Sequence, residues 1–332
     1  MTARELRLTR GFSFRRHMSA KRHGAIDLLL VTMVLIWGVN YSVIKRAFQE
    51  IPPQPFNAVR MLIATSVFLT AMWVAAAAAR RGAKVSRIFY TDARATVRDK
   101  WQLLGLGIVG HFFYQICFVG GVAATSVSNS ALIIGATPVV VALASAAVGH
   151  ERIGRLHWLG AAISALGIYL VVGHGADFGG AHLRGDLLVM VSVSCWSIYS
   201  LGAASLIKRH SPLFVTGMTF AIGCVPYVLF VSPQMMAISW LHLSTFVYVS
   251  IVGSALLALC VAYLIWYTGI QAIGVARTSL YSNLVPVAAM SVAALWLGEP
   301  LTANKLAGAA AVLSGLFLTR LGRKTPPVPI EE

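Results

Sequence analysis

Charged residues are scarce in this chain, and their scarcity excludes most kinds of soluble protein. Only 11% of the 332 residues are Asp, Glu, Lys or Arg, whereas 58% are hydrophobic and the mean hydropathy is +0.75. Soluble domains usually carry about 25% charged residues. The composition therefore predicts that most of the chain lies in lipid.

Acidic residues are also few, and none lies in the middle of a predicted membrane span. Asp27, Asp186 and Glu299 all fall near span ends. Proton-coupled pumps commonly relay protons through intramembrane carboxylates or histidines. His111 is the one residue that this sequence offers for such work.

Motifs for catalysis and metal binding are missing. The four cysteines (Cys117, Cys195, Cys224 and Cys260) stand alone in separate spans, which indicates packing residues rather than metal ligands. The sequence has no Gly-Lys-Ser/Thr phosphate-binding loop and no nucleophile–base pair at a usable spacing. We therefore expect neither an enzyme nor a cofactor, and no metal site.

Ten apolar runs follow one another along the chain, and each is long enough to cross a bilayer, which takes about 20 residues. They cover residues 25–47, 54–79, 101–122, 127–148, 154–174, 185–208, 212–232, 244–268, 275–297 and 303–321. The one long connection, 80–100, is too charged to hold a core. Residues 1–24 read as a basic arm touching lipid and not as a cleaved signal, because no small-residue cleavage site follows the apolar run.

The positive charge of the chain indicates its orientation. The net charge is +16, and most of the 27 Lys and Arg residues fall on one predicted side. The opposite side carries Lys45, Arg46, Arg184 and Lys305. The positive-inside rule then predicts that both termini lie in the cytoplasm. We expect the membrane to be a bacterial inner membrane. Because this bias explains the basicity, we expect no nucleic-acid partner.

The second half of the sequence repeats the first. Gly121, Pro138, Glu151, Gly160 and Gly167 recur as Gly269, Pro286, Glu299, Gly308 and Gly315, each 148 positions later. Because each half has five spans, the second half must enter the membrane inverted. We predict an all-α polytopic membrane protein with ten transmembrane helices, arranged as two inverted five-helix repeats around a central cavity. The units are a cytoplasmic arm (1–24), the repeats 25–174 and 185–321, and a cytoplasmic tail (322–332).

Two prolines mark the predicted spans four and nine. Pro138 and Pro286 lie near the middle of these spans, where a proline removes one backbone hydrogen bond and bends the helix. The bends are either static packing features or flexing points for gates, and the sequence leaves both open. Spans five and ten carry paired glycines, which let helices approach closely and indicate a scaffold.

Aromatic and polar side chains recur on matched faces of four spans, far from at least one span end. Such side chains cost free energy near the midplane unless they face protein or water. They favour a hydrated, aromatic-lined cavity, and plain helix packing is the alternative. The predicted substrate-binding residues are Trp37, Asn40, His111, Tyr114, Gln115, Trp196, Tyr199, Tyr263 and Tyr267.

Two basic side chains within spans have more than one interpretation. Arg60 lies about six residues into span two, where it either reaches the interface by snorkelling or contacts a substrate. His111 is either a neutral, buried residue bonded to a carbonyl, or a protonated carrier or carboxylate anchor.

Several short motifs carry a family resemblance over residues 25–321. They are Ile-Trp-Gly-Val-Asn at 36–40, Phe-Asn-Ala-Val-Arg at 56–60, and the proline-bearing spans that end at Glu151 and Glu299. The set resembles the drug/metabolite transporter superfamily, in its ten-helix EamA-type branch. His-Phe-Phe-Tyr at 111–114, with Trp37 and Trp196, resembles the YddG-type exporters of aromatic amino acids. The resemblance implies a basket of helices in which spans one, three, four, six, eight and nine line the cavity.

The residues and the resemblance together predict an exporter of small organic metabolites, foremost neutral or aromatic amino acids. Aromatic pairs contribute about 0.5–1.5 kcal/mol beyond area burial, and their faces attract ammonium groups. We expect alternating access by facilitated diffusion. The alternative is a proton-coupled multidrug or purine exporter, and a membrane enzyme or receptor fits less well. Membrane lipid and the substrate are the expected partners, with a monomer as the default.

Overall fold

The computed structural model describes residues 3–135, 137, 140, 155–172, 181–273, 278 and 281–321, and the regular elements among them are helical. In chain order the helices are α1 (Ala3–Ala47), α2 (Pro53–Arg80), α3 (Val97–Ala124), α4 (Val127–Gly135), α5 (Arg155–Val172), α6 (Ala181–Ile207), α7 (Pro212–Met236), α8 (Thr245–Ile273), α9 (Val285–Leu297) and α10 (Ala303–Leu321). A short 3-10 turn, Trp240–His242, precedes α8.

Six helices in the described part of the chain are long and apolar enough to cross a membrane. They are Ala25–Ala47, Pro53–Arg80, Val97–Ala124, His182–Ile207, Pro212–Met236 and Thr245–Ile273. The prediction of a multi-pass helical membrane protein is confirmed, and these boundaries lie close to the predicted ones. Within span four the structure describes residues 127–135, 137 and 140, so Pro138 and Glu151 lie outside the described residues, as does the tail 322–332.

Buried polar contacts tie the start of α3 to the junction between α6 and α7. Asp99 and Thr96 form a capping box, in which each side chain accepts a hydrogen bond from the other's backbone N–H. The Asp99 carboxylate also bonds to Arg209 Nη2 at 2.5 Å and lies 3.3 Å from His210 Nε2. The segments predicted to lie on the cytoplasmic side therefore meet at one end of the bundle.

The connection 81–96 packs against the start of α7 at the same end. Leu213 donates its N–H to Ile88 O at 3.1 Å, and Ser211 donates its hydroxyl to Phe89 O at 3.4 Å. A cavity of about 200 Å³ lies there, lined by Met72, Ala76, Phe89, Tyr90, Thr91, Ala93, His210, Ser211 and Phe214. The sequence did not predict this cavity, because its wall combines a loop with two helices that are distant in sequence.

Lys45 and Glu299 close helix ends at the opposite end of the bundle. Lys45 Nζ donates to the carbonyls of Val122, Ala123 and Thr125 at 2.6–2.9 Å, where α3 ends. Glu299 accepts from the N–H groups of residues 127 and 128 at 2.7 and 3.1 Å, so a residue from the second half of the chain caps α4. The free N–H groups of a helix start favour a negative charge.

Helices α5 and α10 cross through glycines in a reciprocal way. A Cβ added to Gly167 would lie 2.8 Å from Gly308 O, and one added to Gly315 would overlap Gly160 O. Gly160 and Gly308 are equivalent positions in the sequence repeat, as are Gly167 and Gly315. The two backbones therefore touch directly, and any side chain at these positions would force them apart.

Candidate functional site

Ring side chains from α1, α3, α6, α7 and α8 pack together in the core of the bundle, and we name this group the aromatic cluster. Its members are Trp37, His111, Tyr114, Phe118, Trp196, Tyr199, Phe220, Tyr263, Trp266 and Tyr267. All of them are buried except Trp37, which is half-buried. The cluster therefore joins helices from both halves of the chain.

Trp196 is at the centre of the aromatic cluster. Its ring centroid lies 6.2 Å from that of Trp37, 5.4 Å from Tyr114 and 5.3 Å from Tyr263. The contacts with Trp37 and Tyr263 are edge-to-face, an arrangement that aromatic pairs prefer. Trp196 therefore packs on its neighbours with both the face and the edge of its ring.

Two π-helical turns shape the walls of the cluster. They span Ile108–Phe113 in α3 and Ala255–Val261 in α8, at equivalent places in the sequence repeat. Trp37 donates its indole N–H to Ala258 O within the second turn at 3.0 Å, and the ring of Tyr199 packs directly on Gly110 in the first. Such single π turns occur frequently at functional sites in helices.

His111 is fully buried within the cluster. Its ring centroid lies 3.9 Å from that of Phe220 and 4.7 Å from that of Tyr199. Its Nε2 pairs with the hydroxyl of Thr219 at 3.2 Å, and Nδ1 is buried without a partner in the described structure. The expected carbonyl partner is thus replaced by a hydroxyl, which also lies 3.0 Å from the Tyr199 hydroxyl.

A buried polar chain runs from α3 to α2 beside the aromatic rings. Asn57 donates to Gln115 Oε1 at 3.3 Å, and Arg60 Nη1 donates to Asn57 Oδ1 at 3.1 Å. The guanidinium carbon of Arg60 lies 5.6 Å from the ring centroid of Phe56. Arg60 is only 1% exposed. Snorkelling of Arg60 to the interface is therefore wrong, because its side chain is enclosed by protein.

The structure brings most of the predicted substrate-binding residues together. Those within the aromatic cluster are Trp37, His111, Tyr114, Trp196, Tyr199, Tyr263 and Tyr267. Gln115 adjoins the cluster through Asn57. Asn40 is half-buried on α1, and among the described residues no hydrogen bond joins it to the cluster. Its predicted role stays a prediction.

Pro286 does not lie in the middle of a helix. It is the second residue of α9, after a turn at residues 283 and 284, and it packs against Gly135 of α4. The expectation of a mid-helix proline is corrected here, because a proline in the first turn leaves no intrahelical hydrogen bond unmade. Its equivalent, Pro138, lies outside the described residues.

Sequence reasoning missed several members of the site. Thr219 and Phe220 come from α7 and contact His111 of α3, a contact between two helices that the spacing along one helix does not show. Trp266 lies one turn after Tyr263 on α8, and this helical spacing could have identified it. Asn57 precedes Arg60 by three residues, a spacing that predicts a contact on one helix face.

The arrangement suits reversible binding rather than covalent chemistry. Within the described part of the chain, His, Cys, Asp and Glu residues do not gather in threes where they could hold a metal ion. The four cysteines are free thiols. What the aromatic cluster offers a guest is stacking surface together with a few buried polar atoms.

An all-helical bundle in which six of the described helices are long and apolar enough to cross a membrane is a multi-pass membrane protein, the class that includes the helical transporters. The chain belongs to the EamA-like transporter family, whose model matches residues 24–173 and 183–321. It is 26% identical over 299 residues to the uncharacterized transporter YyaM of Bacillus subtilis, covering 89% of this chain and 93% of that protein.

Two further comparisons agree with this membership. Over 322 residues the chain is 26% identical to a Salmonella typhimurium protein named as a probable amino-acid metabolite efflux pump, covering 91% of this chain and 96% of the relative. A protein of known crystal structure has the same fold, with a TM-score of 0.62 at 19% identity, and the alignment covers 91% of this chain and 99% of that one. The protein is thus a membrane transporter.

Proposed function

We propose that the protein is a secondary transporter that exports neutral amino acids with aromatic or apolar side chains. The observation that carries this proposal is that the aromatic cluster contains buried polar atoms with no partner among the described residues, namely His111 Nδ1 and Trp266 Nε1. An unpaired buried donor or acceptor costs about 1–3 kcal/mol. A guest with a polar head and an apolar ring would pair with these atoms and stack on the rings.

An amino-acid zwitterion has the chemistry that this cluster can hold. Its side chain would stack among Trp37, Tyr114 and Trp196, and indole and phenol faces attract its ammonium group. The name of the Salmonella typhimurium relative, an amino-acid metabolite efflux pump, supports this class of cargo. The resemblance to YddG-type exporters favours aromatic members of the class.

For the transport cycle we propose alternating access between two inverted five-helix halves. The reciprocal glycine contacts of α5 and α10, and the π turns at equivalent places in α3 and α8, support a two-fold relation between the halves. The family model also matches two successive segments of the chain. In this cycle α4 and α9 move as the gates, flexing at Pro138 and at the turn of residues 283 and 284 that precedes Pro286. Both termini lie on the cytoplasmic side of the inner membrane.

We propose that transport is facilitated diffusion down the substrate gradient. The described acids of the spans are bonded to protein groups near the span ends and are not placed along a path through the centre; they are Asp27, Asp99, Asp186 and Glu299. A proton relay would need titratable groups near the middle of the bundle. The aromatic cluster contains one histidine, His111, which is fully buried, and a single such group does not form a relay.

The proposal is tested by counterflow of radiolabelled Trp and Phe into proteoliposomes carrying the purified protein. The wild type is expected to exchange both substrates. Trp37→Ala and Tyr114→Ala should each slow exchange by about tenfold or more, since the loss of 1.4 kcal/mol of binding corresponds to tenfold. Trp73→Ala, which removes a ring 68% exposed on α2, is the matched control and should exchange at the wild-type rate.

Other outcomes of the same experiment contradict the proposal. Wild-type rates in both cluster variants would remove these rings from the site. Competition by planar cations or purines, without competition by Trp or Phe, would establish the multidrug or purine alternative. Rates that respond to an imposed pH gradient and return to baseline with a protonophore would replace facilitated diffusion by proton coupling.

A further inference from the structure

Arg60 carries a positive charge into the interior of the bundle. It lies on α2, a helix long and apolar enough to span the membrane, and its side chain is 1% exposed. Taking a guanidinium out of water costs several kcal/mol unless it is paired. A charge in this position therefore requires compensation.

The protein groups near Arg60 provide only part of that compensation. One hydrogen bond runs from Nη1 to Asn57 Oδ1, and Nε is buried without a partner in the described structure. The ring of Phe56 supplies a cation–π contact at 5.6 Å. A guanidinium has five N–H donors, so most of its capacity is left over.

Described carboxylates do not pair with Arg60, because each has a partner elsewhere. Asp27 bonds to Tyr281 at 2.7 Å, and Asp99 pairs with Arg209. Asp186 accepts from Thr125, and Glu299 caps α4. The remaining described acids with assigned contacts, Glu50 and Asp92, bond to Arg46 and Tyr90 near the ends of helices.

Arg60 is linked to the aromatic cluster by hydrogen bonds through Asn57 to Gln115, which directly follows Tyr114 of the cluster on α3. Asn57 accepts a hydrogen bond from the guanidinium and donates one to Gln115 on α3. The donors of Arg60 are thus oriented by two buried amides beside the rings where a substrate would stack.

We propose that Arg60 is the carboxylate subsite of the transporter, with Asn57 and Gln115 as residues that position it. This inference rests on the proposed function and deepens it, because it names the group that every substrate must carry. A guanidinium binds a carboxylate through two parallel N–H···O bonds, which gives both energy and orientation. Substrates are then aromatic or apolar carboxylates, and an ammonium group is secondary.

Three indole compounds that differ in their charged groups test whether binding requires a carboxylate. Tryptophan has both the carboxylate and the ammonium group, indole-3-propionate has only the carboxylate, and tryptamine has only the ammonium group. Tryptophan and indole-3-propionate are expected to raise the melting temperature of the purified wild-type protein and to compete in Trp counterflow. Tryptamine should do neither at equal concentration. Equal effects of tryptamine and tryptophan would overturn the inference.

Substitutions at Arg60 provide a second test of the carboxylate subsite. Arg60→Gln removes the charge, and Arg60→Lys keeps the charge but not the fork of donors. We expect tryptophan to bind about tenfold to a hundredfold more weakly to both variants, the range expected for a lost charge-assisted hydrogen bond. Arg46→Gln removes an equal charge from a side chain 39% exposed at the end of α1, and should bind as the wild type does.

The possible outcomes separate this inference from the proposed function. If the wild type exchanges tryptophan and both Arg60 variants bind it equally well, the carboxylate subsite is wrong and the amino-acid exporter stands. If the wild type neither binds nor exchanges any carboxylate compound, both fail. If Arg60→Gln does not fold, the ligand series on the wild type still decides, because it needs no variant.

Discussion

Trp37 donates its indole N–H to the backbone carbonyl of Ala258, and this bond joins α1 to the π turn of α8 at 3.0 Å. The same indole contacts Trp196 and Tyr263 through its ring. One side chain thus couples the backbone of one helix to the rings of two others. A change at this position should affect both the stability of the bundle and the shape of the aromatic cluster.

Trp37→Phe separates these two contributions. It keeps an aromatic ring but leaves Ala258 O without its donor, which should lower the free energy of unfolding by about 1–3 kcal/mol. Thermal unfolding in detergent measures the change, and Trp73→Phe on the exposed face of α2 is the control. If both variants melted together with the wild type, the bond would contribute nothing measurable.

Gly315→Ala should destabilise the crossing of α5 and α10. The added methyl group would lie 2.6 Å from the backbone nitrogen of Ser164, so the two helices must separate. Overpacking of this kind costs about 1–3 kcal/mol. Gly105→Ala is the control with the opposite sign, since nothing lies within 4 Å of its added methyl and alanine favours a helix by about 0.5–1 kcal/mol. Melting temperatures that moved together would contradict the close backbone contact.

Glu299→Gln should weaken the start of α4. The carboxylate accepts from two backbone N–H groups and from the hydroxyl of Ser128 at 2.7 Å, whereas an amide offers one accepting oxygen and no charge. A lost helix cap costs about 0.5–2 kcal/mol. Glu50→Gln, at a partly exposed ion pair with Arg46, should cost less than about 1 kcal/mol. Chemical unfolding of the two variants side by side measures the difference.

Asp99→Asn should loosen the opposite end of the bundle. The buried carboxylate bonds to Arg209 and His210 and closes the capping box with Thr96. We expect a loss of about 1–3 kcal/mol, below the value of fully buried pairs because Arg209 is 50% exposed. Proteolysis of the connection 81–96 should also accelerate. Asp92→Asn, within that connection, is the control and should leave the melting temperature in place.

Helix boundaries were the part of the fold most open to prediction. The apolar runs end at charges or prolines, and α2 and α7 begin at Pro53 and Pro212 as the pattern indicates. Proline suits the first turn of a helix because its missing N–H is not needed there. Span nine was the exception, since the sequence cannot show that the chain turns at 283 and 284 before α9.

The site was predictable where a helix face repeats and not where distant helices meet. The spacing of Trp37 and Tyr41 or of His111 and Tyr114 could be read from the sequence, because each pair lies on one face of one helix. The π turn around His111 could not, since π-helical geometry has no simple residue signature. The Thr219 hydroxyl reaches His111 only because α7 packs on α3, a fact of tertiary structure.

Arg60 shows most clearly what could not be predicted from the sequence. The side chain of a basic residue six positions into a span can reach either the lipid interface or the protein interior, and hydropathy alone does not predict which. The choice is made by Asn57 and Gln115, whose amides form a polar route inward from α2 to α3. Such a route exists only once two helices have docked.

The glycine contacts of α5 and α10 have a consequence for movement. Two backbones that touch at both Gly167–Gly308 and Gly160–Gly315 cannot slide past each other without steric overlap. The two helices can still rotate slightly about their line of contact. Any opening of the bundle is therefore expected from movement of helices away from this crossing, while the contact between α5 and α10 stays closed.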